Sequence, residues 1–223
     1  MLLFPQLTQL DLTAPFQVFA ALPATRVHLV WHSLEPVKSD TGLTLTPTAT
    51  FENCPPLDVM FVPGGWGVDA VLGDGVALDF LRRRGSTATW ITSVCTGSLA
   101  LGAAGLLDGY RATCHWAHRD LLEFFGAIPT AERVVIDRNR ATGAGVTAGI
   151  DFALTLAAAL HGPDVAKRLQ LRMEYSPAPP FSCGTPEEAD PATLAAVLEA
   201  LTPLQERRRQ SVLAAQRART APR

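Results

Sequence analysis

The sequence lacks a charge imbalance, because 19 Lys and Arg residues stand against 21 Asp and Glu residues and leave a formal charge of -2. We therefore expect no attraction to nucleic acid or to a membrane surface. The sequence also lacks an apolar segment long enough to span a bilayer. Its first residues, MLLFPQ, carry no basic stretch and no long apolar run, so we do not expect a signal peptide there. These absences predict a cytoplasmic protein.

Cysteine is scarce, with four residues at positions 54, 95, 114 and 183. They form no CxxC pair and no cluster with the spacing of metal ligands, so we expect no metal site. A reduced thiol pool is the simplest interpretation. With 48% hydrophobic residues among 223, the chain can build one domain with a full core, or one domain and an appendage.

What the sequence does contain is an alternation of strand-like and helix-like segments. After a very short first strand, MLLF, strand-like runs occupy 26–34, 57–65, 87–94 and 111–116, with a hairpin-like pair at 133–137 and 140–143. Helix-like segments occupy 10–22, 77–85, 96–109, 119–127, 147–162 and 163–175. This alternation predicts an α/β fold with a mostly parallel sheet and helices on both faces.

The C-terminal part of the sequence differs in composition. A Pro-rich loop covers 176–191, and a basic segment, ERRRQSVLAAQRARTAPR, covers 206–223. We predict an α/β domain over residues 1–190 and a C-terminal helical extension with a basic tail over 191–223. The tail is expected to be a solvated surface helix or a frayed terminus.

Residues 91–98, ITSVCTGS, have the layout of a nucleophile elbow, in which a strand ends at a sharp turn and a helix follows. The unpaired N–H groups and positive dipole at the helix start would stabilise a thiolate, so we predict a lowered pKa for Cys95. The backbone N–H of Thr96 could donate to a developing negative charge. The alternative is that Cys95 is a small, buried and inert core residue.

Other residues are expected near Cys95, because the carboxyl ends of parallel strands meet at one edge of a sheet. Gly64 and Gly65 offer N–H groups with no side chain in the way. His115 could orient or activate the thiol, or be a hydrogen-bonded wall residue. Asp11 is either an ordinary helix N-cap or a carboxyl in the crevice, whose pKa burial would raise.

Several segments carry a resemblance to a known family when taken in order: LLFPQLTQLDLTAPFQVF, LDVMFVPGG, TSVCTGSLALGAAGLLDG, RATCHW, TGAGVTAGIDFALTL and QLRMEYSPAPPF. Over about residues 2–186 the chain resembles the ThiJ/PfpI superfamily and, within it, the members that hydrate isonitriles. The resemblance implies a flavodoxin-like three-layer α/β sandwich, a homodimer, and neither a metal nor an organic cofactor. It also implies that Cys95 is the nucleophile, with Thr96 beside it and Asp11 as the acid/base carboxylate. Water would add to R–N≡C through a covalent thioimidate on Cys95 and give an N-substituted formamide.

The sequence departs from this pattern in three places. The first strand is short, and the loop PPFSCGTP lacks an acidic residue after its Phe. Trp66 follows the Gly-Gly pair where a small residue is more usual, so it either narrows the pocket or makes a packing or dimer contact. Tyr175 and Phe181 are expected to wall the pocket or to be plain core residues.

Two other functions remain open. One is a glyoxalase- or deglycase-like activity on small aldehydes, although those relatives use Glu where Asp11 falls. The other is a non-catalytic ligand or redox sensor, since an exposed thiol of low pKa suits oxidation sensing. Some motifs also resemble the sensor domain of AraC-type regulators, which would need about a hundred further residues for their DNA-binding motifs.

Overall fold

The structure, a computed structural model, describes residues 1–220. Its strands are β1 (Val30–Trp31), β2 (Val37–Lys38), β3 (Thr44–Leu45), β4 (Ala49–Thr50), β5 (Val59–Val62), β6 (Trp90–Val94), β7 (Arg111–Ala112), β8 (Ile128–Pro129), β9 (Val134–Asp137) and β10 (Arg140–Gly143). Its α-helices are α1 (Gln9–Phe19), α2 (Val68–Gly73), α3 (Gly75–Gly85), α4 (Gly97–Ala103), α5 (Ala148–His161), α6 (Pro163–Arg172) and α7 (Pro191–Thr220). A 3-10 helix, Trp116–Phe125, lies between β7 and β8.

The central sheet has the strand order β5–β6–β10–β9. β5 and β10 each pair with β6 in parallel, whereas β9 and β10 form an antiparallel hairpin. The first residues continue the sheet beyond β5, because Leu2 N–H donates to the Phe61 carbonyl and Leu3 N–H donates to the Val30 carbonyl, both at 2.9 Å. The parallel pairs place the carboxyl ends of β5 and β6 at one edge, where a site is expected.

Helices cover both faces of the sheet, which is why β5, β6 and β10 are buried along most of their length. On one face Phe61 of β5 contacts Phe19 of α1 and Phe152 of α5, with ring centroids 6.1 and 5.7 Å apart. On the other face α4, with the sequence GSLALGA, is buried along its whole length and packs against β5 and β6. The predicted flavodoxin-like α/β fold with a mostly parallel sheet is confirmed.

Some elements differ in length or type from the predicted ones. The segment 111–116 is a strand only at Arg111–Ala112, because its partner β8 offers only two residues for pairing. The helix predicted at 119–127 is a 3-10 helix that spans Trp116–Phe125. The short helix α2 was not predicted, and the Pro-rich segment 176–190 forms no helix or strand, as expected.

The C-terminal segment forms α7, a helix of 30 residues that lies against α2, α4 and the 3-10 helix. Its buried residues are Arg208, Val212 and Ala215. The expectation of a solvated or frayed tail is therefore wrong for this helix, because one side of it docks onto the domain. Residues 221–223 lie outside the described part, and the division at residue 190 stays a prediction. Within residues 1–220, no helix combines the length and apolarity needed to cross a bilayer.

Candidate active site

Cys95 lies at the tip of the turn between β6 and α4. Its φ is +55°, in the left-handed region, which costs a residue with a side chain about 1 kcal/mol or more. Its N–H donates to the carbonyls of Gly143 and Ala144 at 2.9 and 3.0 Å, so the end of β10 holds the turn in place. The elbow predicted from ITSVCTGS is thus present, with the strand ending at Val94 and the helix beginning at Gly97.

Gly97 explains how the helix approaches the sheet so closely. A Cβ atom at this position would lie 2.2 Å from the carbonyl oxygen of Val62 and 2.6 Å from that of Pro63. Since such contacts are too short for any side chain, only glycine lets α4 start directly against the end of β5. This close packing brings the residues that follow β5 next to the elbow.

Asp11 lies in the first turn of α1 and is fully buried. It is not the helix N-cap, because Thr8 holds that position. Its Oδ2 accepts a hydrogen bond from Gly64 N–H at 3.0 Å, whereas Oδ1 has no partner among the described residues. Burial, which hydrogen bonding to Cys95 and to Gly64 N–H opposes and the Asp40 charge reinforces, raises the pKa of Asp11 to about 7. Asp11 can therefore give and take a proton near neutral pH.

The thiol of Cys95 does not have the predicted low pKa. Burial raises the pKa of Cys95 well above its ordinary value, and the negative charges of Asp11 and Cys114 raise it further. The N–H of Thr96 at the helix start lowers this pKa, but it does not outweigh the burial of a side chain that is 5% exposed. The resting site thus holds a protonated thiol beside a carboxyl group that titrates near neutrality.

The Gly64–Gly65 pair connects Asp11 with Thr96. Gly64 N–H donates to Asp11, and Gly65 N–H donates to Thr96 Oγ1 at 3.0 Å. A Cβ atom on Gly64 would lie 2.6 Å from Thr96 N and 2.8 Å from Asp11 Oδ2. The expectation that both glycine N–H groups are free to stabilise a developing charge is wrong, because both already have partners. They hold the carboxyl and the hydroxyl in place instead.

The remaining predicted site residues have other partners or are exposed. His115 Nδ1 accepts a hydrogen bond from Ala117 N–H at 3.2 Å, and burial lowers the pKa of His115 to about 4, so it is neutral at pH 7. Tyr175 donates its hydroxyl to Asp151 Oδ1 at 3.1 Å. Trp66 and Phe181 are 58% and 74% exposed, so the described residues do not enclose them as pocket walls. For Phe181 the reason is that its loop has no regular structure and lies at the surface.

Two residues that the sequence did not single out act on the site. Asp40 raises the pKa of Asp11, and its Oδ2 accepts a hydrogen bond from Thr8 Oγ1 at 2.6 Å. Arg208 of α7 donates to the carbonyl of Gly65 at 2.9 Å. Neither has a sequence signal, because Asp40 stands in an ordinary turn and Arg208 stands in a run of basic residues.

Among residues 1–220, no three His, Cys, Asp or Glu side chains are grouped as a metal site.

Comparison with known proteins agrees with this architecture. The sequence matches the DJ-1/PfpI family over residues 1–159. It is 60% identical over 193 residues to the isonitrile hydratase of Pseudomonas putida, which covers 86% of this chain and 85% of that protein. It is 37% identical over 152 residues to the HTH-type transcriptional regulator GbdR of Pseudomonas aeruginosa, covering 65% of this chain and 41% of the regulator. The fold superposes on the crystal structure of a ThiJ/PfpI family protein from Pseudomonas syringae with a TM-score of 0.93 and 47% identity, over 95% of this chain and 88% of that one.

Proposed function

This chain belongs to the DJ-1/PfpI family, and on that premise we propose that it is an isonitrile hydratase that converts R–N≡C into an N-substituted formamide. The observation that carries the proposal is that the Cys95 thiol lies beside the fully buried Asp11 carboxyl, close enough for each to shift the pKa of the other, and that the pKa of Asp11 is about 7. This pair supplies a nucleophile and a group that can both donate and accept a proton, which the two halves of such a hydration require.

The first half forms a covalent bond to Cys95. An isonitrile carbon carries a lone pair, so protonated Asp11 donates its proton to that carbon and makes it electrophilic. The sulfur of Cys95 then bonds to the same carbon, and the thiol proton passes to the ionised Asp11. The result is R–N=CH–S–Cys95, in which the hydrogen sits on carbon. The raised pKa of the thiol is compatible with this order, because the proton leaves the sulfur only as the new bond forms.

The second half releases the product. Water adds to the carbon of the C=N bond while Asp11 passes a proton to the nitrogen and takes one from the water. The C–S bond of R–NH–CH(OH)–S–Cys95 then breaks, the hydroxyl proton moves by way of Asp11 to the sulfur, and R–NH–CHO leaves. The N–H of Thr96 stabilises negative charge on the departing sulfur, and its hydroxyl is held by Gly65. Because the first step needs protonated Asp11, activity falls as the pH rises through about 7.

The test is product analysis with cyclohexyl isocyanide. We expect formamide from the wild type and from Cys183→Ala, the matched control, because Cys183 is an exposed cysteine remote from the elbow in sequence. Cys95→Ala and Asp11→Asn should each lose about 10³-fold or more in kcat, since each removes a group that takes part in bond making or proton transfer. A pure wild type that yields no formamide would overturn the proposal, and methylglyoxal in a parallel assay tests the aldehyde alternative.

The redox-sensor alternative receives less support from the geometry. A sensing thiol is exposed and ionised, whereas Cys95 is 5% exposed and burial raises its pKa.

The protein is proposed to act as a homodimer in the cytoplasm on a small isonitrile, and size-exclusion chromatography with light scattering tests the dimer.

A further inference from the structure

Arg208 is the largest fully buried side chain among the described residues, with 2% of its surface exposed. Burying a guanidinium costs several kcal/mol unless it is paired and hydrogen-bonded. Its neighbours Arg207 and Arg209 are exposed, so the burial does not follow from the basic composition of α7. The position of Arg208 is therefore set by specific partners in the domain.

Those partners are the two end residues of one short segment, residues 65–69. Arg208 Nε donates to Asp69 Oδ1 at 2.8 Å, and Nη2 donates to the carbonyl of Gly65 at 2.9 Å. Asp69 stands in the first turn of α2, which begins soon after the glycine pair. Arg207 also donates to Asp69, through Nε to Oδ2 at 2.9 Å, but its side chain is 55% exposed. One buried guanidinium thus ties α7 to both ends of segment 65–69.

Because of its glycine content, the backbone of this segment needs stabilising contacts from other parts of the chain. Two successive glycines form the least restrained stretch that a backbone can have, and Gly65 has a φ of +136°. The N–H and the carbonyl of Gly65 belong to two different rigid peptide planes that meet at its Cα. The first plane is fixed by Thr96 Oγ1. Arg208 makes the shortest hydrogen bond to the second, at 2.9 Å, whereas Val68 N–H and the Thr96 hydroxyl lie 3.4 Å from the same carbonyl oxygen. Gly64 N–H, on the preceding peptide plane, donates to Asp11.

We propose that Arg208 is a positioning residue that holds the Gly64–Gly65 loop, and through it Asp11 and Thr96, in the geometry needed for catalysis. The proposal makes α7 part of the support of the active site. For its effect on turnover it rests on the proposed isonitrile hydration, whereas the effect on Cys95 and Asp11 can be measured without that substrate.

The test compares Arg208→Met, which keeps an apolar stem and loses both hydrogen bonds, with Arg207→Met as the matched control on the same acceptor, Asp69. We expect Arg208→Met to lower kcat about 100-fold, as misplacement of catalytic groups by about 1 Å can do, with less than about a threefold change in KM. Arg207→Met should stay within about twofold of the wild type, because a partly exposed ion pair contributes little.

The pH profile separates positioning from plain loss of stability. Asp11 faces Cys95, Asp40 and the N–H of Gly64, and its charge also acts on the thiol of Cys114. The contacts with Cys95 and Gly64 lower the pKa of Asp11, and the charge of Asp40 raises it. If the loop shifts in Arg208→Met, the N–H of Gly64 leaves the carboxylate and the pKa of Asp11 rises above about 7. The alkaline limb of kcat/KM should then move to higher pH, which a loss of folded protein alone would not cause.

If the wild type turns over no isonitrile, the proposed function has failed and the rate of Cys95 alkylation by iodoacetamide as a function of pH becomes the readout. Arg208→Met should shift that profile, and Arg207→Met should not. Should Arg208→Met not fold, Arg208→Lys takes its place, because one ammonium group cannot reproduce the fork that holds both acceptors. A folded Arg208 variant with wild-type kcat, pH limb and alkylation profile overturns the inference.

Discussion

Replacing Asp11 with Asn should stabilise the protein while abolishing its activity. Asn is nearly isosteric with Asp, and its side-chain oxygen can still accept the hydrogen bond from Gly64 N–H. Burial raises the pKa of Asp11 from 3.8 to about 7 because the charged form is fully removed from water. The folded state therefore favours the neutral carboxyl, and a neutral amide should relieve the cost of ionising it.

The magnitude depends on pH in a defined direction. Well below the unfolded pKa of 3.8 the carboxyl is neutral in both the folded and the unfolded chain, so its contribution to stability is fully present. As the pH rises from 4 towards 7, only the unfolded chain ionises and the wild type loses stability. The rise of the Asp11 pKa from 3.8 to about 7 corresponds to about 4 kcal/mol. The linkage relation gives an advantage for Asp11→Asn of about 2 kcal/mol at pH 5 and about 4 kcal/mol at pH 8.

Urea unfolding of wild type and Asp11→Asn at pH 5, 6, 7 and 8 measures this difference. The control is Asp58→Asn, because Asp58 is exposed and this variant keeps Asp11, so its free energy of unfolding should follow the same pH dependence as that of the wild type. An equal difference between wild type and Asp11→Asn at all four pH values would refute the reasoning, since it would mean that Asp11 titrates alike in the folded and unfolded chains.

Two further predictions concern the backbone around the site. Gly64→Ala should reduce kcat by about 100-fold or more and the free energy of unfolding by about 1–3 kcal/mol, because its Cβ would press on Thr96 N and Asp11 Oδ2. The control is Gly73→Ala, because nothing lies within 4 Å of the Cβ added there. This variant should keep full activity. The free energy of unfolding of Cys95→Gly should be about 1 kcal/mol higher than that of Cys95→Ala, since glycine adopts a φ of +55° without strain. Both variants should be inactive. Equal free energies of unfolding in urea would contradict the backbone strain assigned to Cys95.

Much of the fold was predictable because its signals are local. The strand-like runs 57–65 and 87–94, the turn at Cys95 and the small residues of α4 all express constraints between consecutive residues, and the structure reproduces them as β5, β6 and the elbow. The alternation of strands and helices predicts a parallel sheet whose carboxyl ends meet at one edge, so the proximity of Cys95 and the Gly64–Gly65 loop could also be expected.

The chemistry of the site could be predicted only in part. The raised pKa of Asp11 was offered as one alternative for a buried carboxyl, and the structure selects it because Thr8, not Asp11, caps the helix. The pKa of Cys95 was expected to fall, because helix-dipole arguments use only adjacent residues. Its actual direction depends on burial by the surrounding elements and on the charges of Asp11 and Cys114, which are distant in sequence.

The sequence by itself determined where the chain turns and which residue stands at the tip of the elbow, since backbone conformation is governed mainly by neighbouring residues. Only the tertiary structure decided which groups share a desolvated space. It gave the N–H groups of Gly64 and Gly65 their partners, left Trp66 and Phe181 exposed, and placed Arg208 against the glycine loop. Hydrogen bonding and desolvation depend on distances in space, and residues 143 positions apart in sequence can meet there.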